Sequence, residues 1–458
     1  MVGPLMTGRS RGLRHAFRAL RHRDFALFWS GALVSSTGMW MQAVTVPFVI
    51  HEATGSAGWV GLSAFAQFAP VMVMSPFGGA LADRHARRTI LIWNQAALLV
   101  LALALWLSVQ GGAIRPGVMV ALVAGSGIVA GLGIPAWQSF VAELVPRESL
   151  LNAVALNSAQ FNVSRAIGFM LGGFALYSVG PGLSFLVNAL SYFAVLGALA
   201  VMRLRPERNR LRAGPSEGLQ RDPLRWGAAA AEVGMPTIPP EEAAPATFRL
   251  GLAYVRQHPG LQLAVITVGV VMFLGGPVIQ LAPVFARDTF GVDERAYGFL
   301  AGALGIGATA GSVLLGAYGD GVRRSRLIIA AVVTYGVAVL GMALTPNYVG
   351  GLVAMACIGV AYLAVASALM TSVQLAVDDR FRGRVLALYV MVFTGAYPLG
   401  SLVQGLATDH FGVRAVVGVA GTALLAYAAL LASKPAVVAV FDGAVQGAWF
   451  QGVDQPGG

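Results

Sequence analysis

Long apolar segments recur along almost the whole chain, and they constrain its fold more than any other feature does. Each is about twenty residues long, enough at 1.5 Å of helix rise per residue to cross a hydrocarbon layer about 30 Å thick. In the first half they are 25–50, 59–82, 89–108, 117–139, 151–178 and 182–202. In the second half they are 261–286, 296–319, 326–345, 349–375, 384–408 and 413–433. The sequence therefore predicts an all-α membrane protein with 12 transmembrane helices in two six-helix bundles.

The composition agrees with a lipid environment. Hydrophobic residues make up 57% of the 458 residues and charged residues only 11%, whereas a soluble domain carries about 25% charged residues. The apolar surface must therefore face lipid, and no segment is left for a soluble enzymatic domain. A net charge of +11 would suggest a nucleic-acid partner in a soluble protein, so the positions of the basic residues decide that question.

Basic residues gather on one side of the predicted membrane. Of the 31 Lys and Arg residues, all but Arg115, Arg165, Arg287, Arg295 and Arg414 fall in the tails or in loops on the same side. By the positive-inside rule that side is cytoplasmic. We expect both termini in the cytoplasm and no nucleic-acid partner. Several Arg residues precede the long first apolar run, which argues against a cleaved signal peptide.

The longest polar stretch divides the chain. The predicted parts are a cytoplasmic tail at 1–24, a first bundle at 25–202, a cytoplasmic linker at 203–260, a second bundle at 261–433 and a cytoplasmic tail at 434–458. Phe248, Leu252 and Val255 stand at helical spacing within the linker. This spacing predicts a short amphipathic helix over 246–257 that lies against the membrane surface.

The two bundles repeat one another in sequence. With an offset of 237 residues, the matches are Gly61 with Gly298, Gly79 with Gly316, Asp83 with Asp320 and Arg87 with Arg324. With an offset of 232 residues, they are Gly168 with Gly400, Gly173 with Gly405 and Gly180 with Gly412. Glycine is frequent in membrane helices, so the Asp and Arg matches carry most of the weight. Two related six-helix halves are typical of alternating-access transporters, whose binding site lies near the midplane between them.

One predicted cytoplasmic loop carries a recognisable motif. It reads GGALADRHARRT at 78–89, and GAYGDGVRRSR at 316–326 is its weaker echo. The motif resembles the signature loop of the major facilitator superfamily. Three further segments, LRHRDFALFWSGALVSSTGMWMQ, LVPRESLLNAVALNSAQFNVSRAIG and FRGRVLALYVMVFTGAYPLGS, are similar to the branch of siderophore exporters and macrolide-efflux proteins. The resemblance covers residues 20–435.

This resemblance implies a secondary transporter that works by alternating access. It implies proton-driven export of small amphiphilic molecules, such as drugs or siderophores, from a bacterium across its cytoplasmic (inner) membrane. The expected partners are the small-molecule substrate, protons and the lipid bilayer, and we expect a monomer without cofactor or metal. An importer or a lysolipid flippase of the same fold is the alternative, since related transporters carry lysophospholipids.

Two further function classes fit the sequence less well. An ATP-driven pump is excluded because a phosphate loop needs a lysine after glycine, and Lys434 in ASKPAVV is the only lysine. A membrane-embedded enzyme is the other class, and GALGIGATAG at 302–311 superficially suggests a nucleotide-binding glycine loop. That segment lies inside an apolar run with no strand before it, so helix packing explains it better. We predict a protein that is not an enzyme.

Each residue type in the signature loop has a physical reason. Gly79 lets a helix of the other half approach closely. Asp83 can accept hydrogen bonds from free N–H groups at a neighbouring helix start. Arg84, Arg87 and Arg88 can pair with carboxylates or hold the loop at the membrane surface. The resemblance implies that this cluster latches the cytoplasmic side shut in the outward-facing state, and an ordinary basic loop is the alternative. The same role is expected of its echo, Gly316, Asp320 and Arg324.

Polar residues on spans one and five are candidates for the cavity wall. At 100° per residue, Gln42 shares an arc with Gly31, Gly38 and Thr45, and a second polar arc follows span five. Helix packing explains the small residues in these arcs equally well. The family's antiporter pattern in span five, Gly-Pro and then Gly-Gly, reads GFMLGG at 168–173 and lacks the proline. The predicted cavity residues are Gln42, Asn157, Gln160, Phe161, Arg165, Gln374 and Tyr397.

Arg165 lies about 20 Å into span five, near the bilayer centre. An arginine there costs roughly 2.5 to 3.5 kcal/mol on insertion scales, so it should not face lipid. We expect it to face water between the halves, where it attracts an anionic substrate group or tunes the protonation of a neighbouring carboxylate. The alternative is a buried arginine that donates to carbonyl groups of an adjacent helix and holds the two together.

Acidic residues and histidines are absent from the deep part of every predicted span. No acidic residue and none of the six His residues lies there, so the sequence reveals no proton carrier at the midplane. Glu52 and Asp409 near the outer ends, and Glu143 near the inner end of span four, are the remaining candidates for proton coupling.

Overall fold

The computed structural model describes residues 17–111, 114–202, 244–318, 322–378 and 381–442. These residues form helices and connecting turns, with no strand among them. The long helices, numbered in chain order, are α1 Arg23–Thr54, α2 Ala57–Arg84, α3 Arg87–Gln110, α4 Pro116–Glu143, α5 Leu150–Ser178, α6 Pro181–Val201, α7 Ala244–Gln257, α8 Pro259–Leu274, α9 Glu294–Tyr318, α10 Arg324–Leu344, α11 Tyr348–Ala376, α12 Arg382–Phe411 and α13 Val413–Ser433. Shorter helical turns cover Arg18–Arg21, Arg147–Ser149, Pro277–Gln280, Ala282–Val284, Phe285–Thr289, Pro435–Val438 and Ala439–Asp442.

The predicted class, an all-α membrane protein, is confirmed. In the part of the chain that the structure describes, eleven helices are long and apolar enough to cross a membrane. With the exception of the seventh span, the helices begin and end within about one turn of the predicted limits. Helix α5 is 29 residues long but is not among those eleven, and it carries Asn157, Gln160 and Arg165. Its length matches that of α4, whereas its hydropathy is lower than that of the eleven.

The seventh apolar run, predicted as one span over 261–286, forms a candidate membrane span over Pro259–Gln280 that is interrupted after Leu274. Helix α8 ends at Leu274, and the chain continues to Thr289 as short turns. Pro277 has no N–H group with which to continue the helical hydrogen bonds. A methyl group on Gly275 would lie 2.7 Å from the ring of Tyr335, and one on Gly276 would lie 2.5 Å from the ring of Tyr397. The helix is therefore interrupted at two glycines, whose lack of a side chain lets the rings of Tyr335 and Tyr397 pack against the backbone.

The two ends of the bundle are named here by their loops. The basic end carries the turn between α2 and α3 with Arg84 and Arg87, and the far end carries the turn between α1 and α2 at Gly55. Within the first half α1 packs on α5 and α6, and α2 packs on α4. Within the second half α9 packs on α11, α10 on α13, and α8 on α12. The halves meet chiefly where α2 packs on α12 and where α5 packs on α9.

Those two contacts between the halves are equivalent. A methyl group on Gly405 of α12 would lie 3.0 Å from the Cα atom of Gly61 on α2, and one on Gly173 of α5 would collide with the backbone of Gly298 on α9. Gly61 repeats in the sequence as Gly298, and Gly173 repeats as Gly405. The same glycine contact is thus made twice, so the internal repeat corresponds to a symmetry of the packing.

Helix α7 lies within the central segment where the sequence predicts an amphipathic helix. It packs on α12 through Tyr254, whose ring stacks on Phe381 with centroids 4.3 Å apart. The Tyr254 hydroxyl accepts a hydrogen bond of 3.4 Å from the backbone N–H of Asp378. Burial raises the pKa of Tyr254 above its ordinary value. Through these contacts of Tyr254 with Phe381 and Asp378, α7 is attached to the basic end of the second half.

Candidate substrate cavity between the two halves

A cavity lies between the halves at the middle of their length. The space between its lining side chains, counted together with the part open to solvent, is about 980 Å³. The wall is formed by Trp40, Ala43, Val44, Pro47, Gln67, Phe68, Arg165, Phe169, Met272, Ile279, Gln280, Ala282, Tyr297, Ala301, Leu304, Met355, Tyr362, Phe393, Thr394 and Tyr397. Both halves contribute, and most of these side chains are apolar or aromatic with a few polar groups among them. This is the usual composition of a site for a small organic molecule.

Arg165 is the one charged residue among the wall residues that the structure describes. Its guanidinium carbon lies 5.7 Å from the ring centroid of Trp40 and 5.9 Å from that of Tyr362, within the range of cation–π attraction. One terminal nitrogen donates to Asn162 Oδ1 at 3.0 Å. The Nε atom is buried and has no acceptor among the described residues. The guanidinium therefore contacts both halves and retains donor capacity.

The wall is more apolar on the far-end side of Arg165. Val44 and Pro47 of α1 and Phe169 of α5 lie about one to two helical turns nearer the far end. Tyr297 closes this part of the cavity, because its hydroxyl donates to the Val44 carbonyl at 2.8 Å and its ring stacks on Phe48. Residues 44, 47, 169, 282, 297 and 301 are called the floor below.

Polar contacts between the halves gather at the far end. His51 Nε2 lies 3.1 Å from Asp288 Oδ1, with the His51 side chain buried. Arg287 pairs with Glu52 at 2.9 Å and with Glu294 at 2.6 Å, and its guanidinium lies over the ring of Phe48. These contacts join the end of α1 to the segment that follows α8. The far end of the cavity is shut by them and by the glycine contacts.

Asp409, near the end of α12, joins the halves in a different way. Its carboxylate accepts hydrogen bonds from Ser56 Oγ at 2.7 Å, from the Ala57 N–H at 2.7 Å and from the Gly58 N–H at 3.0 Å. These N–H groups are at the start of α2, where they have no partner within the helix and where the helix dipole favours a negative charge. The carboxylate of one half thus caps a helix of the other.

The basic end is different, because among the described residues the signature loop makes no such contact with the other half. Asp83 and Arg84 are exposed, and a methyl group on Gly79 would have no atom within 4 Å. Arg87 pairs with Glu143, and Arg88 donates to the Leu199 carbonyl, both within the first half. Of the echo, Gly316 lies in α9 and Arg324 begins α10, while Asp320 lies outside the described residues. The latch stays a prediction, since it concerns the other conformational state.

The predicted cavity residues fall in three places. Arg165 and Tyr397 line the cavity, and the sequence offset of 232 makes their positions on α5 and α12 equivalent. Gln42 accepts a hydrogen bond of 2.7 Å from Asn188 of α6, and buried Gln160 donates to the Ala32 carbonyl at 3.0 Å, so both lie between helices of the first half. Phe161 is exposed and meets the Trp40 ring edge-on, Asn157 is half-buried, and Gln374 is exposed.

The three predicted proton-coupling residues all have partners. Glu52 pairs with Arg287, and Asp409 caps α2, both across the interface between the halves at the far end. Glu143 pairs with Arg87 inside the first half. Their roles in coupling stay predictions.

Trp40 and Tyr362 were missed by the sequence reasoning. Trp40 is on α1 and Tyr362 on α11, and together they enclose the Arg165 guanidinium. An aromatic residue in an apolar run is usually a packing residue, so periodicity does not single these two out. The available signal was indirect: an arginine at the membrane centre needs partners, and aromatic rings are such partners.

Curated relatives align with nearly the whole chain. The staphyloferrin A transporter of Staphylococcus aureus is 22% identical over 395 residues, covering 86% of this chain and 92% of the relative. The macrolide efflux protein A of Streptococcus pyogenes is 26% identical over 423 residues, covering 88% and 94%. The enterobactin exporter of Shigella flexneri is 23% identical, covering 84% and 85%.

Solved structures share the fold. A bacterial homologue of the human lysosomal transporter Spinster superposes with a TM-score of 0.62 at 16% identity, covering 93% of this chain and 97% of that one. A D-xylose–proton symporter superposes with a TM-score of 0.61 at 16% identity, covering 90% and 96%.

The family model described as transmembrane secretion effector matches residues 14–238 and 231–443. The match spans most of the chain, and the curated relatives are transporters rather than enzymes. The protein is therefore a multi-pass membrane transporter of small molecules, and it belongs to the transmembrane secretion effector family of the major facilitator superfamily.

Proposed function

We propose that the protein exports small amphiphilic molecules, of drug or siderophore type, by alternating access driven by a proton gradient. The observation that carries this proposal is a central cavity whose far end is shut by contacts between the halves, while Asp83 of the signature loop is exposed at the basic end. In an export cycle, this state would bind substrate from the basic end, and release at the far end would follow the conformational change.

The basic end is the cytoplasmic side in this proposal. The excess of Arg in its loops supports this orientation by the positive-inside rule. Both termini are then cytoplasmic, the protein is a monomer of the bacterial inner membrane, and α5 is the twelfth membrane span. A cavity open toward the cytoplasm would collect substrate there.

Export rather than import is supported by the relatives. A macrolide efflux protein and an enterobactin exporter align along nearly their full length with this chain. Proton drive is supported by two candidate carriers at the far end, Glu52 and Asp409, whose contacts cross the interface between the halves. Protonation of either would weaken a contact that holds the far end shut, which links a proton gradient to the conformational change. Glu143 is the candidate carrier at the basic end.

The test uses everted membrane vesicles that contain the protein and a fluorescent dansyl probe with an alkyl chain that ends in a carboxylate. Export predicts that an imposed proton gradient, acidic inside, drives accumulation of the probe and that an uncoupler abolishes it. Vesicles without the protein serve as the control for passive partition into lipid. Accumulation that ignores the uncoupler contradicts proton drive, and accumulation only in right-side-out vesicles indicates an importer.

A further inference from the structure

We infer that the central cavity selects amphiphiles that carry an anionic group, with that group held at Arg165 and the apolar part in the floor. This inference rests on the proposed transport function and names its substrate class. Among the wall residues that the structure describes, one is cationic and none is acidic. A cationic amphiphile would bring a second positive charge into a largely apolar space, where like charges repel more strongly than in water.

The immediate surroundings of Arg165 favour an anion as well. Arginine has five N–H donors and no acceptor. Its hydrogen-bond partner is Asn162 Oδ1 at 3.0 Å, and its guanidinium carbon lies 5.9 Å from the ring centroid of Tyr362. The Nε atom and the indole Nε1 of Trp40 are buried donors with no acceptor in the described part of the chain. This part of the wall thus has more donors than acceptors, and a carboxylate supplies acceptors and the opposite charge.

The rings beside Arg165 hold its charge without cancelling it. Trp40 and Tyr362 flank the guanidinium at 5.7 and 5.9 Å, and ring faces attract a cation through their quadrupole. A neighbouring carboxylate of the protein would instead neutralise the arginine and remove its selectivity. Stabilisation by rings makes it possible to keep an unpaired arginine at the membrane centre and leaves its charge available to a ligand.

The position of Arg165 fixes the orientation of the ligand. Phe169, Pro47 and Tyr297 lie nearer the closed far end, and they present apolar or aromatic surface. Ala301 is in the same region, with a small side chain that leaves space. A molecule that arrives from the basic end therefore places its apolar part in the floor and its anionic group beside Arg165.

Binding to the purified full-length protein in detergent tests this inference without any transport step. Three dansyl probes share one alkyl chain and end in a carboxylate, a methyl ester or a trimethylammonium group. The expected order of affinity is carboxylate, then ester, then ammonium, with about a tenfold difference between the first two from the charge-assisted hydrogen bonds. Equal affinity of the carboxylate and the ester, or tightest binding of the ammonium probe, would overturn the inference. This comparison needs only the unmodified protein.

Four variants locate the anionic group and the apolar part of the bound probe. Arg165→Met should weaken the carboxylate probe about tenfold and leave the ester nearly unchanged, and Arg165→Lys should restore part of the difference. The matched control is Arg295→Met, because Arg295 is exposed at the far end and also lies over two rings, Tyr177 and Phe299. Ala301→Trp fills the floor and should weaken the carboxylate and ester probes equally. Equal weakening of all three probes by Arg165→Met would show a packing role instead.

The transport assay separates this inference from the proposed function. Carboxylate-selective binding that depends on Arg165, without accumulation in everted vesicles, supports the substrate class and contradicts export. Uncoupler-sensitive accumulation of the ester and ammonium probes with no preference for the carboxylate supports export and contradicts the substrate class.

Discussion

Asp409 accepts hydrogen bonds from the first residues of α2, and this contact gives an exposed carboxylate a part in closing the far end. Gly58 belongs to the same contact, because a methyl group there would lie 2.6 Å from Asp409 Oδ2. A side chain that looks like an ordinary surface acid in the sequence thus lies at a junction between the two halves.

Replacement of Asp409 by Ala should open the far end more often. A helix cap contributes about 1 kcal/mol, which corresponds to roughly a fivefold shift between the two states. The measurement is labelling of Ala301→Cys in the floor by an impermeant thiol reagent added at the far side, in a background in which Cys357 is replaced by Ser. Asp293→Ala is the control, since Asp293 Oδ1 caps the start of its own helix at the Ala296 N–H, 2.9 Å away. Equal labelling in the two variants would contradict the role of Asp409.

Asp83 is exposed, so its proposed latch contact belongs to the opposite state. Asp83→Asn removes the charge and keeps the shape, and it should increase the population of the state open at the basic end. Labelling of Thr394→Cys in the cavity wall from that side should then rise. Glu148→Gln, which changes another exposed acid at the same end, should leave the labelling unchanged. If Asp83→Asn alters neither labelling nor transport, the latch does not exist.

At the scale of helices, two pairs of helices from opposite halves come into backbone contact at glycine residues. Gly173 and Gly298 bring α5 and α9 into backbone contact, and Gly61 and Gly405 do the same for α2 and α12. Small residues at such positions let membrane helices pack with their backbones close together. The two pairs surround the cavity from opposite sides, so closure of the far end requires both.

Gly298→Ala should therefore prevent full closure of the far end, because the added methyl group collides with the backbone of Gly173. Transport should fall by about tenfold or more, and the cysteine at 301 should become accessible from the far side. Gly341→Ala in α10 is the matched control, since a methyl group there meets nothing within 4 Å. It should be neutral or slightly stabilising. Identical behaviour of the two variants would show that the glycine contact does not limit closure.

The sequence predicts the helices well, because twenty apolar residues in a row have few other folds in a membrane. It does not predict the break after Leu274, since 261–286 has no charged residue and glycine and proline are tolerated in membrane helices. Periodicity likewise predicts that Gln42 lies on a polar face, but not what that face meets. The partner is Asn188, which is distant in the sequence. Arg165 was easier to place, because its charge excludes every lipid-facing position.

At the scale of the whole molecule, the two halves enclose one central cavity that lies between the basic end and the far end. The far end is held shut by an ion pair, a helix cap and glycine contacts, while Asp83 of the signature loop is exposed at the basic end. Because the sequence repeat relates α2 to α9 and α5 to α12, rotation of one half against the other exchanges equivalent surfaces. Opening at one end is then coupled to closure at the other.

Pulsed electron-spin distance measurement tests this central claim most directly. One pair of spin labels at Ala86 and Val322 spans the basic end, and a second pair at Ala53 and His410 spans the far end, all at exposed positions. The carboxylate probe and a change of pH supply the perturbation. Alternating access predicts that the far-end distance lengthens as the basic-end distance shortens, in the same fraction of molecules. Distances that lengthen together, or a far-end distance that never changes while the probe is transported, would contradict it.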